Sequence, residues 1–104
     1  MYKVIVTTVL DPQIKAKLSQ YSKETYIPYS KLIETAINAF NKGLKKSKRY
    51  TLKHADFDRI KTQSFSCSVP NEVNELILGT ADELEISKRM LLREIITEFV
   101  LSLK

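Results

Sequence analysis

Ile86-Ser-Lys-Arg-Met-Leu-Leu-Arg-Glu-Ile-Ile96, followed by Phe99 and Leu103, has a counterpart earlier in the chain with the same apolar spacing. Moving back 59 positions gives Ile27-Pro-Tyr-Ser-Lys-Leu-Ile-Glu-Thr-Ala-Ile37, with Phe40 on Phe99, Leu44 on Leu103, Lys45 on Lys104 and no gap. Apolar residues recur at helical spacing in both copies: Leu91, Leu92, Ile95, Ile96, Phe99 and Leu103 in one, Leu32, Ile33, Ala36, Ile37, Phe40 and Leu44 in the other. Each copy therefore reads as an amphipathic helix. A fixed internal shift raises the question of whether the whole chain is doubled.

Upstream of the first copy, Thr25-Tyr26-Ile27-Pro28 is a break, since the residue before a proline avoids the helical region and Pro28 suits a new first turn. Before that break, Asp11-Pro12 opens a helix running to about Lys23, with Asp11 expected to accept orphan amide hydrogens. Its stripe is Ile14, Leu18 and Tyr21, with Lys15, Lys17 and Lys23 facing water. Lys3 to Leu10, rich in Val, Ile and Thr, reads as a strand with Val4, Val6, Thr8 and Leu10 on one face and Lys3, Ile5, Thr7 and Val9 on the other. Helix two is expected to reach about Lys42; Gly43 either ends it or, since Leu44 matches Leu103, precedes one more turn.

The same order returns in the second half. From Gln63, Ser64–Val69 alternates strictly, placing Phe65, Cys67 and Val69 against Ser64, Ser66 and Ser68. Helix three carries Val73, Leu76, Ile77, Thr80, Ala81 and Leu84 as its apolar face and Glu72, Glu75, Asp82, Glu83 and Glu85 as its polar one. Ser87 is expected to cap helix four. The chain is strand, helix, helix, twice, with residues 46–62 between the units.

A chain of 104 residues, 43% hydrophobic, supports one modest core, and each half alone is below the size that usually folds unaided. One compact domain is expected, with units at 3–45 and 63–104. No apolar run approaches the length of a membrane span and the start lacks the apolar region of a signal peptide, so a cytoplasmic location is expected. The net charge of +5 favours a polyanionic partner. That charge is concentrated: Lys42, Lys45, Lys46, Lys48, Arg49, Lys53, Arg59 and Lys61 stand against Asp56 and Asp58, so the rest of the chain is slightly acidic. This central segment mixes bases with Tyr50, Leu52, His54 and Phe57 and has no clean period, which makes it a basic linker.

Catalysis finds little support. His54, the one histidine, lies in the linker; Cys67, the one cysteine, faces the expected core with no companion ligand; and two glycines cannot make a phosphate loop. No metal, cofactor or small-molecule ligand is expected.

A strand followed by two helices cannot satisfy its own sheet hydrogen bonds and leaves an apolar face uncovered. Two such units solve both problems by pairing their strands antiparallel and intertwining their helices. This architecture, together with the wording at 27–37 and 86–96, resembles the ribbon-helix-helix family of DNA-binding proteins over both units, everything but the linker. The implied fold is mainly α with a two-stranded antiparallel ribbon, a pseudo-dimer within one chain, as in the tandem conjugation-accessory members. By that resemblance the ribbon enters the major groove of double-stranded DNA and reads bases through Ile5, Thr7, Val9, Ser64, Ser66 and Ser68. The starts of the second helices grip phosphate through Pro28, Tyr29, Ser30 and Lys31 in one unit and Ser87, Lys88 and Arg89 in the other. Lys3, Lys46, Lys48, Arg49 and Lys61 are additional candidates for DNA contact.

The chain departs from the family at the reading positions. Arg, Lys, Asn or Gln often stand there; hydroxyls bond base edges ambiguously, and Ile or Val offers only contact with thymine methyls. The resemblance implies a sequence-specific regulator, either a transcriptional repressor or a plasmid conjugation or partition factor, with side-by-side association on DNA open to it. An antitoxin-like protein-binding module is the other class; such members usually add a disordered tail, and the sequence stopping at Lys104 favours the regulator.

Overall fold

The computed structural model describes residues 3–46 and 62–103, with side chains 44–46 excepted. Its elements are β1 (Lys3–Leu10), α1 (Pro12–Thr25), α2 (Tyr29–Lys46), β2 (Gln63–Pro70), α3 (Asn71–Leu84) and α4 (Lys88–Ser102). The expected order is present, and α2 continues past Gly43 to Lys46, the longer of the two readings. The basic linker, with Tyr50, Leu52, His54 and Phe57, lies outside the described residues.

β1 and β2 form a two-stranded antiparallel sheet in which Lys3 faces Pro70, Thr7 faces Ser66 and Leu10 faces Gln63. Alternation puts Val6, Thr8 and Leu10 of β1 and Phe65 and Val69 of β2 on the covered face. Beneath them lie Leu32, Ile33, Ala36 and Ile37 of α2 and Leu91, Leu92, Ile95, Ile96 and Val100 of α4, all buried in one cluster with Leu18 of α1 and Val73, Ile77 and Ala81 of α3. Burying each Leu, Ile or Val side chain in this way contributes about 1.5–3 kcal/mol before the entropy of ordering is counted. Neither unit owns this core: β1 packs most heavily on α4 and β2 on α2, so each strand is covered by the other unit's second helix.

Both inter-helix breaks use the same backbone device. Tyr26 after α1 and Glu85 after α3 are left-handed, at φ 59° and 58°, and the 59-residue shift carries one onto the other. At the second break the Glu85 amide donates to Asp82 O and the Ile86 amide to Ala81 O, satisfying carbonyls that the helix end leaves orphaned. Ser87 caps α4 as expected, its Oγ accepting the Met90 amide at 3.1 Å.

Three expectations are corrected. Asp11 makes no side-chain cap on α1; its carboxylate lies 3.8 Å from Arg93 Nη2 instead. Leu76, assigned to the apolar face of α3, is 43% exposed, because that helix is covered along Val73, Ile77 and Ala81 and Leu76 falls at the rim of the α2–α3 groove. The helix-four stripe was also too narrow. Leu91 through Thr97 are all buried, Arg93 and Glu94 included, so α4 is a central helix rather than a half-exposed one.

Candidate nucleic-acid interface

The uncovered face of the ribbon is a row of three cross-strand pairs: Ile5 with Ser68, Thr7 with Ser66, and Val9 with Ser64. Ile5 is 70% exposed, the three serines and Thr7 are exposed, and Val9 is partly covered. Thr7 Oγ1 and Ser66 Oγ sit 3.2 Å apart at the centre. Each end of the row offers one apolar side chain and one hydroxyl, with the hydroxyl on β2 both times. Each pair can therefore press a methyl against thymine and donate or accept one hydrogen bond at a base edge. Lys3 is exposed at the start of β1, opposite Pro70.

The helix starts beside the ribbon are less uniform than the sequence suggests. At α4, Ser87 and Arg89 are exposed. Ser87 Oγ spends a lone pair on the Met90 amide and keeps its hydroxyl hydrogen for an anion. Lys88 is drawn aside: its ammonium donates to Asn74 Oδ1 on α3, and partial burial lowers its pKa from the ordinary lysine value. At α2, Tyr29 turns its ring inward against Phe65, edge to face with centroids 5.2 Å apart, so it packs the core while Ser30 is half-buried. Lys31 is exposed and pairs with Glu34 at 3.3 Å. Of the seven helix-start residues, Pro28, Lys31, Ser87 and Arg89 are exposed, and Lys31, Ser87 and Arg89 among them can donate to an anion. The side chain of Lys46, and Lys48, Arg49 and Lys61 entirely, lie outside the described residues.

Between the ribbon edge and the start of α4 is a cleft of about 460 Å³ lined by Thr8, Val9, Thr62, Ser87, Arg89, Met90 and Arg93. Helix-start amides, the Ser87 hydroxyl and two guanidinium-bearing residues make it suited to an anion. A groove between α2 and α3 is lined by Glu72, Glu75 and Glu83 against Lys42, a net negative lining that disfavours an anion. Cys67 is half-buried with its thiol pushed up to about 11 by burial, so little thiolate is present at neutral pH. Among the described residues no group of three potential metal ligands comes together, and no helix is long and apolar enough to cross a membrane.

Three residues that sequence reasoning passed over shape this surface. Thr8 donates from its buried hydroxyl to Arg89 O at 2.7 Å, Arg93 Nη1 donates to Val9 O at 3.1 Å, and Asn74 holds Lys88. The one available hint was the charged pair Arg93-Glu94 inside an otherwise apolar run, a place where charges persist only with partners.

A family model described as the ribbon-helix-helix domain matches residues 3–40, covering β1, α1 and most of α2. Ribbon-helix-helix domains are in general DNA-binding, and the match lies within the first unit alone. Comparison with curated proteins and with solved structures gives no match.

Proposed function

We propose that this chain is a sequence-selective double-stranded DNA-binding regulator, acting as a transcriptional repressor, in which one polypeptide does the work of two subunits. Residues 3–45 form the first ribbon-helix-helix unit, 46–62 a basic linker and 63–104 the second unit. The reading is carried by the uncovered ribbon face: a two-stranded ribbon fits the major groove, and Ile5/Ser68, Thr7/Ser66 and Val9/Ser64 stand along it. Ser87, Arg89 and Lys31 supply phosphate contacts at its flanks, with Lys88 and Ser30 behind them, and the linker bases add sequence-independent attraction. A repressor needs only to occupy its site, which calls for no catalytic step.

The test is a titration of the protein against duplexes enriched from a random library, at about 50 and about 200 mM salt, with the complex mass measured by sedimentation. One chain per minimal duplex, with affinity falling steeply as salt rises, supports the reading. Failure to enrich any duplex at low salt overturns it. A protein whose melting temperature falls on hundredfold dilution contradicts the pairing of the two units within one chain.

A further inference from the structure

The two ends of the ribbon are not held alike. At one end α4 grips β1 twice: the Thr8 hydroxyl donates to Arg89 O at 2.7 Å, and Arg93 Nη1 donates to the carbonyl of Val9 at 3.1 Å. Arg93 is 3% exposed, and its other guanidinium nitrogen lies 3.8 Å from Asp11 Oδ2, at the corner where β1 turns into α1. The guanidinium thus ties strand, corner and helix into one body, with the carbonyl of a reading residue at its centre.

The 59-residue shift names the counterparts at the other end, and they cannot do the same. Arg93 corresponds to Glu34, whose carboxylate has no hydrogen to donate to a carbonyl and which pairs with Lys31 instead. Thr8 corresponds to Cys67, whose thiol is a weak donor. The equivalent of Val9 is Ser68, so the Ile5/Ser68 end lacks the chemistry that fixes the Val9/Ser64 end.

Resting on the DNA-binding reading above, we infer that Arg93 is a positioning residue for base recognition, fixing the height of Val9 so that the Val9/Ser64 end of the ribbon discriminates base pairs more sharply than the Ile5/Ser68 end. Methyl contacts and single hydroxyl bonds discriminate only when the backbone holds them to within about 0.5 Å. A buried planar donor on the carbonyl of the reading residue supplies that constraint, whereas a strand end without such a donor adapts to the wrong base. Arg89, whose own carbonyl is gripped by Thr8, couples the same end to its phosphate.

The experiment starts from the duplex the wild-type chain enriches from a random library. Val9→Ala and Ile5→Ala assign which base pairs lie under which end, and every single-base variant of that duplex is then titrated with Arg93→Met, Arg93→Lys and Thr8→Val. Expected for Arg93→Met is a loss of about three- to tenfold in preference at base pairs under Val9/Ser64 and less than about twofold under Ile5/Ser68, with Arg93→Lys keeping most of it. Equal losses at both ends, or a uniform drop in affinity with preferences intact, overturns the inference and makes Arg93 merely structural. If Arg93→Met fails to fold, Thr8→Val decides by the same comparison, since it removes one donor at nearly constant volume. A wild-type chain that enriches no duplex is a different result: it removes the DNA reading itself.

Discussion

Thr7 and Ser66 face each other across the ribbon with their hydroxyl oxygens 3.2 Å apart, and they are also the residues that the internal 59-residue shift superposes. Strand register and sequence repeat are independent, and they agree at this one pair. It follows that the approximate two-fold axis relating the units passes between Thr7 and Ser66, at the middle of the outward row. Moving outward, the axis exchanges Val9 with Ser68 and Ile5 with Ser64, so nothing beyond the centre is chemically symmetric. If this face reads DNA, the preferred site is expected to be asymmetric. Thr7→Ala and Ser66→Ala each lower preference at its central base pairs by about 1 kcal/mol or less, leaving non-specific affinity unchanged, as competition titrations against mutated duplexes will report.

Arg89 and Lys88 are adjacent in sequence and unequal in the structure. Arg89 points outward, whereas the Lys88 ammonium is hydrogen-bonded to Asn74. Arg89→Ala is expected to weaken binding to all duplexes and to reduce the salt slope by about 1, with Lys88→Ala doing less. Asn74→Ala, by releasing Lys88, is expected to steepen the salt dependence rather than flatten it. Equal slopes for the Arg89 and Lys88 variants contradict this division.

Much of this surface was legible in the sequence. Strict alternation in Ser64–Val69 gave the serine face, the repeat gave the helix starts, and Ser87 caps where expected. What was not legible depends on tertiary packing. Periodicity assigns a helix one buried side, but α4 meets strands and helices around most of its circumference, so Arg93, Glu94 and Thr97 are buried against pattern. Asp11 has the chemistry of a cap, and only the position of Arg93, far away in sequence, explains why it serves otherwise. Tyr29 reads as a surface hydroxyl at a helix start until Phe65 is found beneath its ring.

The left-handed backbone at Glu85 gives a stability prediction. A residue with a Cβ is strained there by about 1–2 kcal/mol, and Glu85 is exposed, so little packing is lost on removing its side chain. Glycine relieves the strain but loosens the unfolded chain. Glu85→Gly is expected to be neutral or stabilising by up to about 1 kcal/mol in denaturant titration, where the same change in a helix interior costs about 1 kcal/mol. A clear destabilisation means the Glu85 side chain holds something the backbone geometry does not reveal.

Cys67 supplies a pH dependence. Burial raises its thiol from the ordinary 9.0 to about 11, so folding favours the protonated form. A folded pKa above the unfolded one means this contribution is complete below about pH 9 and is lost as pH climbs through 11. Alkylation by iodoacetamide at pH 8 is expected to be much slower in the folded protein than in denaturant, and Cys67→Ser is expected to flatten the fall in melting temperature between pH 9 and 11. Rapid labelling of the folded chain at pH 8 contradicts the burial assigned to this thiol.

If the outward ribbon face is the surface that meets DNA, a single charge placed at its centre abolishes binding. Ser66 is exposed at the middle of that face and packs no core, so Ser66→Glu leaves the fold intact while placing a carboxylate where base edges and flanking phosphates must approach. The measurement is the affinity of Ser66→Glu and wild-type protein for the same enriched duplex at about 50 mM salt, beside their melting temperatures. The account predicts a loss of about a hundredfold or more in affinity with an unchanged melting temperature, since an unpaired charge forced against DNA costs several kcal/mol. Undiminished binding by a normally folded Ser66→Glu protein would show that another surface of this chain faces DNA.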